Sequence, residues 1–197
     1  MRVPPPRRQR NEHSREHEYV TYDEFKRLRN AAADCARGKN RARNPLMFLM
    51  AFRHGLRVSE LVNLDWSRLD LDNRLFDVIR RKRGKRKTHD LSAEEVRLLK
   101  RLTPEAARTG PVFLTERGKP MGPRGFFDIV QRAAKKAGFK KPLHPHMFRH
   151  ACGFYMTEKG VHMRKIQDWL GHRDIRMTAI YTDLSPSQLR GAFPDEE

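Results

Sequence analysis

The sequence predicts an α+β fold that is mainly helical and contains one small antiparallel sheet. Apolar residues recur at helical spacing through most of the chain after residue 20. The spacing changes between residues 69 and 91, where the run 75–79 has the composition of a strand and Leu91 closes a candidate partner strand. We therefore expect one helix-dominated domain with its sheet near the middle of the chain.

The helices of the first half carry recognisable start and stop signals. The capping-box pattern that begins at Thr21 predicts a helix over 21–35. Residues 39–43 predict a basic loop, and residues 45–54 predict a strongly apolar helix at the centre of the core. Ser59 is placed to cap the short helix that follows.

The second half is expected to alternate helices with short connections. A second capping box at Ser92 predicts a helix over 92–102. Residues 111–114 suggest a short strand, and residues 123–137 predict a helix that Gly138 ends.

The stretch 144–181 predicts two helices joined by a tight turn and then a short helix that carries Tyr181. Pro145 suits the first helical position, which places His146 and Arg149 three residues apart on one face. His172 follows the glycine that stops the second helix. A cation, two imidazoles and a phenol are thus brought toward one place.

The charge of the chain favours an anionic polymer as partner. The formal net charge is +18 and the pI is near 10.6. The longest apolar run, 46–52, is far too short to span a bilayer, so we expect no membrane association. The two cysteines have no metal or redox spacing, and no signal peptide is visible, which favours a cytoplasmic protein.

The two ends of the chain differ in composition from its middle. Residues 1–18 are rich in Pro, Arg, Glu and His and predict a mobile basic tail. Residues 19–197 are expected to form the single domain, with a short C-terminal segment from about residue 184.

The polar residues match what cleavage of a phosphodiester by an enzyme nucleophile requires. That reaction needs a nucleophile, cations on the non-bridging oxygens, an acid for the leaving oxygen and a group that manages the nucleophile's proton. We assign Tyr181 as the nucleophile, Arg57 and Arg149 to the phosphate oxygens, Lys82 to the leaving 5′ oxygen, His146 to proton handling and His172 to a hydrogen bond with the phosphate.

We predict neither a metal nor a cofactor, because the cations supply the electrostatic stabilisation. His144, His146 and His150 could suggest zinc, but their spacing does not put three imidazoles on one helical face, and no cysteine is near.

Two groups of cations are candidates for binding DNA. Strands this charged are often solvated edges, yet a cationic hairpin that turns at Gly84 could equally enter a DNA groove. A pair of lysines after the fifth predicted helix suits backbone phosphates. The residues are Arg80, Arg81, Arg83, Lys85, Arg86, Lys87, Lys140 and Lys141.

These motifs together resemble the catalytic domain of the tyrosine recombinase (phage integrase) family. The resemblance rests on Gly55-Leu56-Arg57-Val58-Ser59-Glu60-Leu61, His146-Met147-Phe148-Arg149-His150, Leu170-Gly171-His172 and Tyr181. The family pattern is Arg, Lys, His-x-x-Arg, His or Trp, and Tyr, and each position finds a candidate in order. The resemblance implies the DNA breaking-rejoining fold and a 3′-phosphotyrosine intermediate.

The lysine of the pattern is the position with open alternatives. Counting back from Leu91 favours Lys82, but Lys85 and Lys87 lie in the same hairpin and spacing does not exclude them.

The resemblance extends to the short recombinases that invert fimbrial promoter segments. Most of the family carries a separate DNA-binding domain ahead of the catalytic one, whereas 56 residues precede Arg57 here. The resemblance implies site-specific recombination with DNA inversion, by a monomer in free solution that forms a tetramer on paired sites, with accessory DNA-bending proteins and docking of the C-terminal segment on a neighbouring subunit. The alternatives are a DNA-binding regulator that does not cut and a type IB topoisomerase.

Overall fold

The structure is a computed structural model and describes residues 19–79 and 86–181. Its helices are α1 Tyr22–Asp34, α2 Asn40–Arg53, α3 Val58–Val62, α4 Ala93–Leu102, α5 Pro123–Lys136, α6 His146–Glu158, α7 Met163–Leu170 and α8 Arg176–Ala179. Its strands are β1 Leu69–Asp70, β2 Leu75–Ile79 and β3 Arg86–Asp90. The predicted class, mainly helical with a small antiparallel sheet, is confirmed.

The sheet has the order β1-β2-β3 with both pairs antiparallel. Phe76 of β2 lies opposite His89 of β3 and both are buried, so one face of the hairpin base packs on the helices. The tip that joins these strands, residues 80–85, lies outside the described residues.

The main core lies between α1, α2, α5 and α6. Phe48 of α2 packs edge-on against Phe126 of α5 and Phe148 of α6, at ring-centroid distances of 5.8 and 5.1 Å. A smaller buried cluster of Cys152, Ile166, Leu170 and Tyr181 joins α6, α7 and the chain after α8. This second cluster fixes the end of the described chain against α6.

Both capping boxes are confirmed. Thr21 Oγ1 accepts a hydrogen bond from the backbone nitrogen of Glu24 at 3.3 Å, and the Glu24 carboxylate accepts one from the backbone nitrogen of Thr21 at 2.9 Å. Ser92 and Glu95 exchange the same pair of bonds at the start of α4. These bonds satisfy backbone donors that the first helical turn leaves without partners.

The predicted basic loop at residues 39–43 is wrong, because α2 already begins at Asn40. Arg43 is buried inside this helix, where its Nη1 donates to the carbonyl oxygen of Leu114 at 2.6 Å. A second acceptor, the side-chain oxygen of Asn44, receives bonds from Nε and Nη2. These acceptors compensate for burying the cation in the core. Composition alone does not show that such acceptors are present.

Three predicted boundaries also change. The predicted cap at Ser59 is wrong, because Arg57 takes the N-cap position of α3 and its backbone nitrogen donates to the Glu60 carboxylate at 2.9 Å. Residues 111–114 form isolated bridges to Asp65 and Pro120 rather than a strand. Helix α6 begins at His146, one residue later than predicted, with Pro145 at its N-cap.

The described helices are short relative to a membrane. Within residues 19–79 and 86–181 none is long and apolar enough to cross a bilayer.

Candidate active site

Arg149 lies at the centre of the site and is 2% exposed. Its Nη1 and Nη2 donate to the carbonyl oxygens of Gly55 and Leu170, each at 2.6 Å. One carbonyl follows α2 and the other ends α7, so the guanidinium joins both helices to α6. Two short bonds to rigid backbone fix the plane of the guanidinium, which is the condition for a directed contact with phosphate.

Gly55 can fill its position because it has no side chain. Its φ is +55°, and an added Cβ would lie 2.3 Å from Cδ2 of Leu170. The left-handed conformation turns the chain sharply from α2 toward Arg57 and presents the carbonyl to Arg149. The sequence signalled a helix stop here, but not this contact.

Arg57 is held at the start of α3 by Glu60. Its Nη1 donates to Glu60 Oε1 at 2.8 Å, and the carboxylate is 3% exposed while the arginine side chain is 34% exposed. A buried acceptor on one side orients a guanidinium whose other side reaches the surface. Sequence reasoning assigned Arg57 to the phosphate but gave Glu60 no part in orienting it, so the ion pair that fixes the direction of the arginine was missed.

His146 lies at the surface end of the site, on the first turn of α6. Its ring is edge-on to that of His150, with centroids 4.6 Å apart. Desolvation, followed by the nearby His150, Arg149 and Arg57, lowers the pKa of His146 to about 4, although part of the ring is exposed. Its imidazole is therefore neutral at pH 7, and both arginines are among the charges that lower its pKa.

Tyr181 is buried, with 3% of its surface exposed. Its hydroxyl oxygen lies 3.2 Å from Nδ1 of His150. Burial raises the pKa of Tyr181 to about 12, although the charge of Arg149 acts in the opposite direction. The phenol is thus protonated at neutral pH and is placed to donate its hydrogen bond to His150.

His150 is in the state needed to accept that bond. Burial, and then the charge of Arg149, lowers its pKa from the usual value. The sequence analysis assigned the transfer of the nucleophile's proton to His146, and it considered His150 only as a possible zinc ligand, which it rejected. The structure brings His150, not His146, into hydrogen-bond contact with the tyrosine. The signal was present, because His150 and Tyr181 both belong to the motifs that converge here.

Gly153 makes room for the tyrosine ring. An added Cβ at this position of α6 would lie 2.5 Å from Cε2 of Tyr181. The ring packs there with Phe154 edge-on at 5.1 Å. The nucleophile candidate therefore rests against the backbone of the helix that carries Arg149.

His172 stacks on Tyr181. The two rings are nearly parallel, with centroids 6.1 Å apart. Its Nδ1 lies 2.9 Å from Oγ1 of Thr178, which is fully buried. That contact fixes the orientation of the imidazole, so His172 is brought to the site together with Tyr181.

Lys82 and most of the hairpin cations lie outside the described residues. These are Arg80, Arg81, Lys82, Arg83 and Lys85. At the base of the hairpin, Arg86 pairs with Asp77 and Lys87 pairs with Asp168 of α7. Lys140 and Lys141 are exposed after α5. The structure therefore brings five of the six predicted catalytic side chains to one region and leaves the position of the lysine as a prediction.

The described residues contain no group of three His, Cys, Asp or Glu side chains arranged to hold a metal ion. The donors that face the site are arginines, imidazoles and a phenol. Such a set suits an anion with a phosphate's geometry, since each guanidinium can offer two N–H groups to it.

Comparison with known proteins finds relatives that cover most of this chain. Residues 18–188 match the model of the phage integrase family. The type 1 fimbriae regulatory protein FimE of Escherichia coli (strain K12) is 36% identical over 181 residues, which cover 89% of this chain and 90% of FimE. FimB of the same strain is also 36% identical, over 180 residues that cover 89% of this chain and 88% of FimB.

A solved structure agrees in fold. The crystal structure of XerA recombinase superposes with a TM-score of 0.71 at 30% identity, covering 87% of this chain. This chain spans 62% of the XerA chain, whereas it spans nearly all of FimE. With a family match that runs from residue 18 to residue 188 and near-full-length relatives at 36% identity, the chain belongs to the phage integrase family of tyrosine recombinases.

Proposed function

We propose that this chain is a site-specific DNA recombinase that cuts and rejoins double-stranded DNA through a 3′-phosphotyrosine intermediate. The observation that carries the proposal is the contact between the buried Tyr181 hydroxyl and Nδ1 of His150, beside a guanidinium fixed on two carbonyl oxygens. A DNA-binding regulator that does not cut would have no use for a phenol held against a neutral imidazole.

The proposed reaction begins with proton transfer. The O–H bond of Tyr181 breaks, its proton passes to Nδ1 of His150, and the phenolate oxygen attacks the phosphorus of the scissile phosphodiester. A new bond forms between the tyrosine oxygen and phosphorus while the bond to the 5′ oxygen breaks. Lys82 gives its proton to that oxygen, so the products are a 3′-phosphotyrosine and a free 5′ hydroxyl.

Cations stabilise the charge that grows on the non-bridging oxygens. Arg149 and Arg57 direct their positive charge to the phosphate, because two carbonyl oxygens hold the guanidinium of Arg149 in place and Glu60 holds that of Arg57. We assign His146 and His172 to hydrogen bonds with the same phosphate. A phosphate in the site would raise the pKa of His146 toward its ordinary value, since it opposes the neighbouring cations.

We infer that the substrate is duplex DNA and that the exposed lysines Lys140 and Lys141 and the hairpin cations contact its backbone. The net charge of +18 supports this inference. Exchange of strands needs two sites, so we propose a monomer in free solution and a tetramer on paired sites, with accessory DNA-bending proteins as further partners. The similarity to two fimbriae regulatory proteins supports inversion of a DNA segment as the outcome, and we propose a cytoplasmic location because the substrate is DNA.

The test of this function is the covalent adduct. Tyr181→Phe removes the attacking oxygen and leaves the ring packing intact. We expect the wild-type protein to become covalently attached to a nicked suicide substrate, visible as a slowly migrating band on a denaturing gel. The variant should bind the same DNA with unchanged affinity and give no band. An adduct that persists in Tyr181→Phe would exclude this tyrosine as the nucleophile.

A further inference from the structure

A largely buried polar cluster lies against the backbone at the end of α2. We define it as His54, His89, Glu95 and Trp169. The side chains of His54 and Glu95 are both 0% exposed, and His89 is also buried. The reaction proposed above uses none of these residues.

The members of the cluster come from four elements and are joined by directional contacts. His54, which follows α2, places Nε2 2.9 Å from Oε1 of Glu95 in α4 and Nδ1 3.3 Å from Nδ1 of His89 in β3. The indole of Trp169 in α7 stacks on His89 at a centroid distance of 3.9 Å. His54 offsets the cost of burying the carboxylate, because their hydrogen bond holds the pKa of Glu95 below its usual value.

The cluster also holds the backbone at the end of α2. The indole Nε1 of Trp169 donates to the carbonyl oxygen of Arg53 at 3.1 Å. Cys152 Sγ lies 3.4 Å from the same oxygen. The chain is thus fixed at residue 53 by a bond to its carbonyl and at residue 54 by a buried side chain.

Both carbonyls that bind Arg149 adjoin members of this cluster. Gly55 directly follows His54, and Leu170 directly follows Trp169. The bond from Trp169 to Arg53 therefore ties together the two backbone segments that hold the guanidinium. A purely apolar filling would occupy the same space, but it would not fix the directions of these segments, since only hydrogen bonds are directional.

We propose that this cluster is a positioning device that sets the orientation of Arg149 toward the scissile phosphate. This inference rests on the proposed function and names residues that act through Arg149 rather than on the substrate. The cluster affects the chemical step and not DNA binding, because it orients the guanidinium of Arg149, which is buried.

The most direct test is Trp169→Phe, which keeps a ring on His89 and removes the donor to Arg53. Trp66→Phe is the matched control, because it makes the same change at the buried Trp66, whose ring packs under Arg108 and not against the cluster, whereas Trp169 is half-buried. We expect single-turnover cleavage of the suicide substrate at saturating DNA to fall roughly tenfold in Trp169→Phe, since misplacement of a reacting group by 1 Å can cost a hundredfold. Trp66→Phe should cleave like the wild type, and both variants should bind DNA normally.

Two further measurements separate positioning of Arg149 from other roles. A substrate with sulfur in place of the 5′ oxygen needs no general acid, so it should not restore the rate of Trp169→Phe. In an Arg149→Lys background, adding Trp169→Phe should cost less than twofold, because the group that the cluster positions is already gone. Rescue by sulfur, or a full tenfold additional loss in the double variant, would overturn the inference.

His54→Gln provides a second route if Trp169→Phe does not fold. It retains a donor toward Glu95 and removes the nitrogen that faces His89, and we expect the same tenfold loss and the same coupling to Arg149. A wild-type rate in this variant would also overturn the inference. If the wild-type protein itself forms no adduct, the proposed function fails and this inference fails with it. If the wild-type protein cuts DNA and the variants cut it equally well, only this inference fails.

Discussion

At the scale of single residues, the unusual feature is a nucleophile that is hard to ionise. Burial raises the pKa of Tyr181 to about 12, so a spontaneous phenolate is rare at neutral pH. The neighbouring His150 has a lowered pKa and is therefore neutral and able to accept a proton. The two residues therefore depend on each other: Tyr181 provides the attacking oxygen, and His150 accepts the proton that this oxygen must lose.

This pairing predicts a pH dependence. A lowered pKa means that His150 loses its proton at a lower pH than an ordinary histidine, so wild-type cleavage should fall only below the usual titration range of histidine. In His150→Asn the proton of Tyr181 must leave to hydroxide. The rate should then be low at pH 7 and rise about tenfold per pH unit in the alkaline range.

The measurement is the single-turnover rate of adduct formation from about pH 4 to pH 10, which covers the range below the usual pKa of histidine as well as the alkaline range. His162→Asn is the control, because His162 is exposed at the N-cap of α7, where asparagine also caps well, and it is not among the groups that act on the pKa of His150. If His150→Asn kept the wild-type profile, another group would have to take the proton.

Lys82 yields a second prediction at this scale. Lys82→Ala should cleave an ordinary site very slowly and a site with a bridging 5′ sulfur at the wild-type rate, because a thiolate leaves without a proton. Lys85→Ala should cleave both the ordinary site and the sulfur-containing site at the wild-type rate. Rescue of Lys85→Ala by sulfur, with none for Lys82→Ala, would move the acid to residue 85.

At the scale of elements, α6 organises the site because one helix face presents several of its groups. His146, Arg149, His150 and Gly153 recur at spacings of three and four residues, so they lie along one side of the helix. Gly153 receives the ring of Tyr181, and Arg149 and His150 act on its hydroxyl.

The contact at Gly153 predicts the effect of a single added methyl group. Alanine in a helix is normally better than glycine by about 0.5–1 kcal/mol. In Gly153→Ala the added methyl group overlaps the ring of Tyr181, which outweighs that gain. Forced repacking of a core lowers the free energy of unfolding by about 1–3 kcal/mol. We expect a lower melting temperature and a loss of cleavage larger than the loss of DNA affinity.

Gly125→Ala is the matched control in α5. Its added Cβ would approach the sulfur of Met121, a flexible side chain that can move away. This variant should be at least as stable as the wild type and should cleave normally. Equal stability and activity for both alanine variants would show that the ring of Tyr181 does not need the space above Gly153.

At the scale of the whole molecule, the residues that could be predicted are those with local signals. The boxes at Thr21 and Ser92 predicted their helices because capping depends on side chains three residues apart. The motif around Arg149 predicted a convergent site. The contacts of Arg43 and of His54 could not be predicted, because their partners lie 71 and 35 or more residues away and depend on tertiary packing.

The C-terminal segment is predicted to control how several copies of the whole molecule assemble on DNA. Residues 184–197 lie outside the described residues, and their sequence carries Leu189 and Phe193 before an acidic end. A groove of about 520 Å³ is lined by α1, α2, α6, α7 and the start of α4, and its lining is mostly apolar with three basic residues and one acidic residue, Glu94. Its lining includes Tyr22, Phe25, Lys26, Arg29, Phe52 and Tyr155. We predict that this groove receives the apolar and acidic C-terminal segment of a second copy.

A truncation after Asp183 tests this prediction. Each buried apolar side chain contributes about 1.5–3 kcal/mol, which is too little to hold a dimer in free solution but enough to couple subunits already gathered on DNA. The truncated protein should therefore bind a single site with normal affinity, and it should lose the two-site complex in a band-shift assay together with strand exchange. Leu189→Ala combined with Phe193→Ala should reproduce the defect in the full-length chain, because it removes the apolar contacts and keeps the acidic end. Recombination at the full rate by the truncated protein would show that the segment plays no part in pairing the subunits.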